Sequence, residues 1–291
     1  MNLRKTPTIA ERAPASTFLN LRAEAQVKLD GEWITCVHSK SDTTFLNRRS
    51  WTGNRATNPR LSAGIARIFG AKSVIVVGEL CSRGFYGENG FLRLRENRDS
   101  LTLVLFDVLE LIGRNLRQEP FICRWGILTN FMEKYRNSDP VRLVPSFTVN
   151  NVEEALKVFN ASVENGFEGI ILKPHNSAYV NNAWLKWKHT HTEDAKIMGI
   201  RKTKGFKETG IASSWLIGIE TPTGLKQKGC VGSGLDWNLR KRLTDALLKA
   251  KTGEDNEFIY VQPLVTLEIT HNGDLGESFR SPRIIRIRTD K

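Results

Sequence analysis

The chain has 291 residues, enough for two modest domains that each bury a core without disulfides or metals. Its 43 Lys and Arg against 31 Asp and Glu give a formal charge of +12, which favours a polyanionic partner. Four cysteines (Cys36, Cys81, Cys123, Cys230) with no Cys-x-x-Cys pair argue against a zinc ribbon and a disulfide scaffold, and no apolar run is long enough to span a bilayer or resembles a secretion signal. The expectation is a cytoplasmic protein that does not enter a membrane.

Taken in chain order, short apolar runs rich in β-branched and aromatic residues predict strands at Gln26–Val37, Ser73–Leu80, Leu101–Leu111, Gly169–Lys173 and Trp184–Lys188. Apolar spacings of three and four predict helices at Ile127–Asn137 and Val152–Glu164, the second opening after Asn150 and Asn151 and closing near Gly166. After His189-Thr-His-Thr192 the pattern shifts to strands at Ala195–Arg201, Trp215–Glu220, Gly229–Val231, Phe258–Leu267 and Arg283–Arg288, with a helix at Asn238–Lys251. The reading is a mixed α+β chain with mostly antiparallel sheet over residues 1–192. A small all-β Greek-key barrel of the oligonucleotide-binding (OB-fold) type is predicted for residues 193–291.

Several short motifs carry chemistry. Lys28-Leu-Asp30-Gly31 places an amine and a carboxylate beside a tight turn. Val77-Gly-Glu79-Leu80 closes one predicted strand, Leu105-Phe106-Asp-Val108 lies within another, and Glu168-Gly-Ile-Ile-Leu-Lys173 and Trp184-Leu-Lys186-Trp-Lys188 follow. Arg280-Ser-Pro-Arg283-Ile-Ile-Arg286-Ile-Arg288-Thr-Asp290-Lys291 completes the series. Singly, each is an ordinary strand face or turn. A free lysine near its usual pKa of about 10.4 is protonated and not nucleophilic at neutral pH, so Lys28 would need cationic neighbours or a metal to act as a nucleophile. Lys186 and Lys188, two apart on one strand, would present both ammonium groups on the same face. Glu79 and Glu168 supply the hard oxygens that magnesium prefers.

In this order and spacing the motifs resemble the covalent nucleotidyltransferase superfamily, which comprises ATP-dependent DNA ligases, RNA ligases and mRNA capping enzymes, and the last block resembles that of the DNA ligases. The resemblance implies an adenylyltransferase domain with antiparallel sheets like those of ATP-grasp folds, followed by the barrel. It implies that ATP leaves AMP on Lys28, with Asp30 orienting the lysine and Lys186 and Lys188 holding the α-phosphate. Gln26 and Phe106 would receive adenine, Lys173 would join the nucleotide contacts, and Glu79 would meet the ribose or the metal. Glu79 and Glu168 would bind Mg2+, or Mn2+ in its place. Arg48 in Phe45-Leu-Asn-Arg-Arg-Ser50, or Arg49 one further on, would accept the 5′-phosphate of a nick, and Arg280 the β- and γ-phosphates of ATP. The implied partner is nicked double-stranded DNA in replication, repair or recombination, handled by a monomer with no obligate protein partner. With 27 residues ahead of Lys28, ATP is expected rather than NAD. A GTP-dependent capping guanylyltransferase, an RNA ligase and a non-catalytic OB-fold nucleic-acid-binding protein are the competing readings. Two positions depart from the pattern. Trp33 replaces the arginine usually five residues after the nucleophile, where arginine is expected to be tolerated, and Val77 replaces an aspartate.

Overall fold

The computed structural model describes residues 22–290 apart from 41, 48–57, 85, 88–89, 97–99, 136–137 and 182. Arg48 and Arg49 therefore lie outside the described residues. The chain divides into two compact units, Met1–His189 and Thr190–Lys291.

Unit 1 runs β1 (Ala23–Val27), β2 (Glu32–Ser39), β3 (Asp42–Asn47), α1 (Pro59–Phe69), β4 (Val74–Ser82), α2 (Gly90–Glu96), β5 (Leu101–Leu111), β6 (Arg114–Asn115), α3 (Phe121–Met132), β7 (Val141–Leu143), β8 (Ser146–Val149), α4 (Val152–Glu164), β9 (Gly169–Pro174) and β10 (Leu185–Lys188). Its strands form two sheets. One is four-stranded in the order β10-β9-β1-β8; the other runs β3-β2-β4-β5-β6, with β7 parallel to β5. The run read as one strand over Gln26–Val37 is broken at Lys28-Leu-Asp-Gly31, so its two halves belong to different sheets. The helix expected from Ile127 begins six residues earlier, at Phe121.

Strand alternation explains the four-stranded sheet. Ala23, Ala25, Ile170 and Leu172 turn to one face, where they pack with Val149 and Ala155 in a small core under α4. That helix starts where Asn151 accepts the Glu154 N–H at 2.8 Å, with Glu153 and Glu154 in its first turn to complement the helix dipole. The opposite face of β1 is polar: Glu24, Gln26 and, just past the strand, Lys28. The larger core fills the space around β2, β4 and β5, with Leu61, Ile65, Ile68 and Phe69 of α1 and Phe121, Leu128 and Met132 of α3 buried within it. α1 is started by Asn58, which accepts the Leu61 N–H at 3.0 Å, with Pro59 beginning the helix.

Unit 2 comprises β11 (His191–Arg201), α5 (Lys204–Thr209), β12 (Trp215–Thr221), β13 (Gly224–Val231), α6 (Trp237–Lys249), β14 (Lys251–Glu254), β15 (Phe258–Val261), β16 (Thr266–His271) and β17 (Arg283–Ile287). Antiparallel pairing gives the order β13-β12-β11-β15-β14, while β16 joins β11 to β17. The run Phe258–Leu267 is again two strands, because Pro263 cannot donate to a ladder. Trp215, Ile217, Leu267 and Ile269 form the centre of its core, closed by Leu243 and Leu247 of α6.

Candidate active site

The polar face of the four-stranded sheet gathers most of the motif residues of unit 1. In the ladder Lys186 stands opposite Ile171, which stands opposite Gln26, and Lys188 stands opposite Gly169. The Lys28 N–H donates to the Gly169 carbonyl at 2.8 Å, so the row continues into the Lys28 turn. Because side chains alternate, Gln26, Lys28, Lys186 and Lys188 share a face. Glu168, one residue before β9, sits at their meeting point. It is buried and pairs with the Lys28 ammonium through Oε2 and with Lys188 Nζ at 3.2 Å through Oε1. Burial pushes its carboxyl up, but the two lysines outweigh it and hold the group below the ordinary carboxylate range.

Glycine is required twice. Gly169 has φ of +129°, and a Cβ there would collide with the Trp187 carbonyl, so β9 and β10 close together beside Glu168 only with glycine at this point. At Gly31 the need is space: a Cβ would run into the Leu80 carbonyl and crowd the Glu79 side chain. The Gly31 N–H donates to Glu79 Oε1 at 3.2 Å, which brings Glu79 to the turn that carries Lys28. Asp30 is buried there. Its N–H donates to the Tyr86 carbonyl at 3.1 Å, and its carboxylate accepts the Phe91 N–H at 3.5 Å.

Phe106 owes its position to an irregularity in β5. The ladder pairs Val77 with Asp107 and Gly78 with Leu105, so Phe106 is the extra residue of a bulge and its carbonyl leaves the ladder. That carbonyl accepts Lys173 Nζ at 2.9 Å and Gln26 Nε2 at 3.4 Å. The Phe106 ring meets Trp33 edge-on at 4.8 Å and Trp184 at 6.2 Å between centroids. Trp33 is thus a core residue. An arginine at this position, expected to be tolerated for adenylylation, would set a guanidinium among Phe106 and Trp184, where burial of a charge is costly.

Lys173, expected beside the nucleotide, is instead fully enclosed. Its Nζ lies 3.9 Å from the Trp184 ring centroid, 4.6 Å from Phe106 and 4.9 Å from Phe121. Burial pushes its amine down to about 7, against the pull of Asp107 and with Arg124 adding to the push. Neither Asp107 nor Arg124 was singled out from the sequence as part of a site. They form a fully buried two-pronged ion pair, Nε to Oδ1 and Nη2 to Oδ2 both at 2.9 Å. Arg124 also donates to the Glu119 and Ser177 carbonyls, at 2.5 and 3.0 Å. Removing one partner of such a pair costs about 3–5 kcal/mol, so the site rests on a stiff base. The aspartate directly after Phe106 was a signal for it; Arg124, inside an apolar helix, gave none.

Arg280 belongs to unit 2. Its N–H donates to Gly273 and its carbonyl accepts from Asn272, both at 2.9 Å, so it closes the loop after β16. In the same unit Arg286 pairs with Glu268 at 2.7 Å and Arg288 with Asp194 at 3.0 Å. Among the described residues no group of three or more His, Cys, Asp or Glu side chains forms a ready metal cage. Nor is any described helix long and apolar enough to cross a membrane.

A family model described as "ATP dependent DNA ligase domain" matches residues 7–188. A DNA ligase of Thermococcus onnurineus is 27% identical over 98% of this chain and 55% of its own length. The chain spans about half the length of the curated relatives it matches. Among solved structures, a Lig E DNA ligase superposes with a TM-score of 0.67 at 17% identity, covering 97% of this chain and 99% of its own. The ligase domain of M. tuberculosis LigD does so with 0.54 at 23%, covering 98% and 95%. These structural likenesses are of fold.

Proposed function

The chain belongs to the ATP-dependent DNA ligase family, and on that footing we propose that it seals 5′-phosphate/3′-hydroxyl nicks in duplex DNA through AMP carried on Lys28. The observation that carries the reading is the grouping of Lys28, Glu168 and Lys188 at one end of the polar sheet face. In the first step the Lys28 ammonium gives up a proton to solvent and its neutral amine attacks the α-phosphorus of ATP. A P–N bond forms, the bond to the bridging oxygen breaks and pyrophosphate leaves. Lys186 and Lys188 offset the charge gathering on the α-phosphate, a reaction in which positioning and electrostatics supply nearly all the acceleration. An oxygen of the nick 5′-phosphate then displaces Lys28 from AMP, and the 3′-hydroxyl finally displaces AMP to form the phosphodiester.

Glu168 supports these steps by holding Lys28 next to Lys188. Glu168 and Glu79 fit Mg2+ of the kind held by one or two carboxylates together with substrate phosphates: Glu168 is kept ionised, and Glu79 is drawn to the same turn. Bound there, the ion supplies charge neutralisation of the phosphates. Asp30 orients the Lys28 turn, and Phe106 and Gln26 form the adenine side. Lys173 acts from behind by fixing the Phe106 carbonyl and so is a positioning residue. Unit 2 we assign as the oligonucleotide-binding barrel carrying Arg280 for the β- and γ-phosphates, and Arg48 as the acceptor of the nick phosphate. The protein acts as a cytoplasmic monomer.

A duplex with one 5′-phosphorylated nick, incubated with the chain and Mg2+, tests the assignment. Sealing is expected with ATP and not with NAD or GTP. Sealing that requires GTP or NAD, or none with any donor, overturns it.

A further inference from the structure

Beside the site, unit 1 carries a second charged assembly that none of the motifs covers. Asp139 is approached by guanidiniums from three elements: Arg83 Nε at 2.7 Å from the end of β4, Arg142 Nη2 at 3.1 Å from β7, and Arg60 Nη2 at 3.8 Å from the first turn of α1. Arg67, in the last turn of α1, donates to the Asp139 backbone carbonyl at 2.9 Å, and Thr102 donates to its carboxylate at 3.4 Å. Three positive charges thus share one negative charge, and Arg67 brings a fourth against the neighbouring backbone. The side chains of Arg60, Arg83 and Arg142 remain 41%, 56% and 32% exposed.

Stability does not account for this excess. A surface ion pair contributes about 0–1 kcal/mol, and each guanidinium after the first adds repulsion. Arginine's planar fork can hold a carboxylate and present its remaining N–H groups to a second, phosphate-like anion. Asp139 orders the arginines in advance, which lowers the entropy lost when an anion binds.

The patch also adjoins the Lys28 turn. The Arg142 guanidinium lies 5.7 Å from the centroid of the Tyr86 ring, and the Tyr86 carbonyl receives the Asp30 N–H at 3.1 Å. We propose that Arg60, Arg83 and Arg142, organised by Asp139, form a docking surface for the sugar-phosphate backbone of duplex DNA beside the nick. This rests on the ligase reading given above. The breadth of the patch over three elements fits a ladder of phosphates better than one small anion, and such contacts position a duplex without reading its sequence.

The test is the salt dependence of binding of the full chain to a nicked duplex without ATP, between about 0.05 and 0.2 M salt. Each phosphate contact contributes about 0.9 to the slope of log K against log salt. The double variant Arg83→Gln/Arg142→Gln is expected to lower that slope by about two, and Arg60→Gln alone by about one. Arg114→Gln, at a 71% exposed arginine paired with Glu119, controls for net charge and is expected to keep the wild-type slope. Thermal melting shows which variants are folded, and Arg60→Gln, the variant at the longest ion pair, serves if the double variant is not. A wild-type slope in the arginine variants, or an equal fall in Arg114→Gln, overturns the proposal. DNA binding with the expected slope changes but without sealing keeps the patch and removes the enzymatic reading; failure of the wild-type chain to bind nicked duplex removes both.

Discussion

Lys173 lies behind the candidate site, away from solvent. Its amine is buried among three aromatic rings, anchored to the Phe106 carbonyl and held at about 7 by burial. On unfolding the ordinary value of about 10.4 returns, so the unfolded chain binds more protons between those two values. The cost of Lys173 to stability is therefore absent above about pH 10, grows as pH falls toward 7 and increases no further below. Lys173→Met keeps the volume and removes the titration. It should raise the melting temperature relative to wild type by several degrees more at pH 7 than at pH 10. Melting curves across that range check this, and a difference independent of pH would refute it. The same variant loses the bond to Phe106, so a weaker apparent affinity for ATP is expected to accompany its stability.

At the level of elements, two strands and one turn make the site. β9 brings Glu168 to Lys28, β10 brings Lys186 and Lys188, and Gly169 lets the two strands meet. Gly169→Ala should therefore lower stability by about 2–3 kcal/mol, since it combines a left-handed φ with a backbone collision. It should also cut the rate of AMP transfer to the protein at least tenfold; urea denaturation and labelling by ATP read the two effects, and retention of both would show that the strands need no glycine there. The strands themselves were legible because alternation and β-branched content are local properties, and β5 (Leu101–Leu111) and α4 (Val152–Glu164) follow their predicted spans. What escaped was non-local. The run through Lys28-Leu-Asp-Gly31 looks continuous, and only the collision set by Leu80 and Glu79 reveals why it must turn. α1 went unread despite its Asn58-Pro59 start, because Arg, Ser and Gly dilute a pattern whose apolar face is settled by β3, β5 and β7. Of the candidate site, the lysines and glutamates stand in the motifs that carry the family resemblance, whereas the enclosure of Lys173 and the Asp107–Arg124 pair arise from contacts between residues 11 to 67 positions apart.

On the scale of the whole molecule, the excess of 12 positive charges is general, but the Asp139 patch gives part of it a place. The proposed chemistry also assigns work to both units, with Lys28 in one and Arg280 in the other. If Arg280 serves pyrophosphate departure, Arg280→Ala should slow formation of lysyl-AMP at least tenfold while sealing of a nick supplied already adenylylated changes less. Single-turnover assays of each step decide this, and equal slowing of both contradicts the division of labour. If one amine, Lys28, carries AMP, then the chain incubated with Mg2+ and ATP labelled at the α-phosphate, denatured and mapped by peptide, should bear label on the peptide containing Lys28, and Lys28→Ala should bear none. Label at another residue, or undiminished label on the variant, would refute the proposed mechanism.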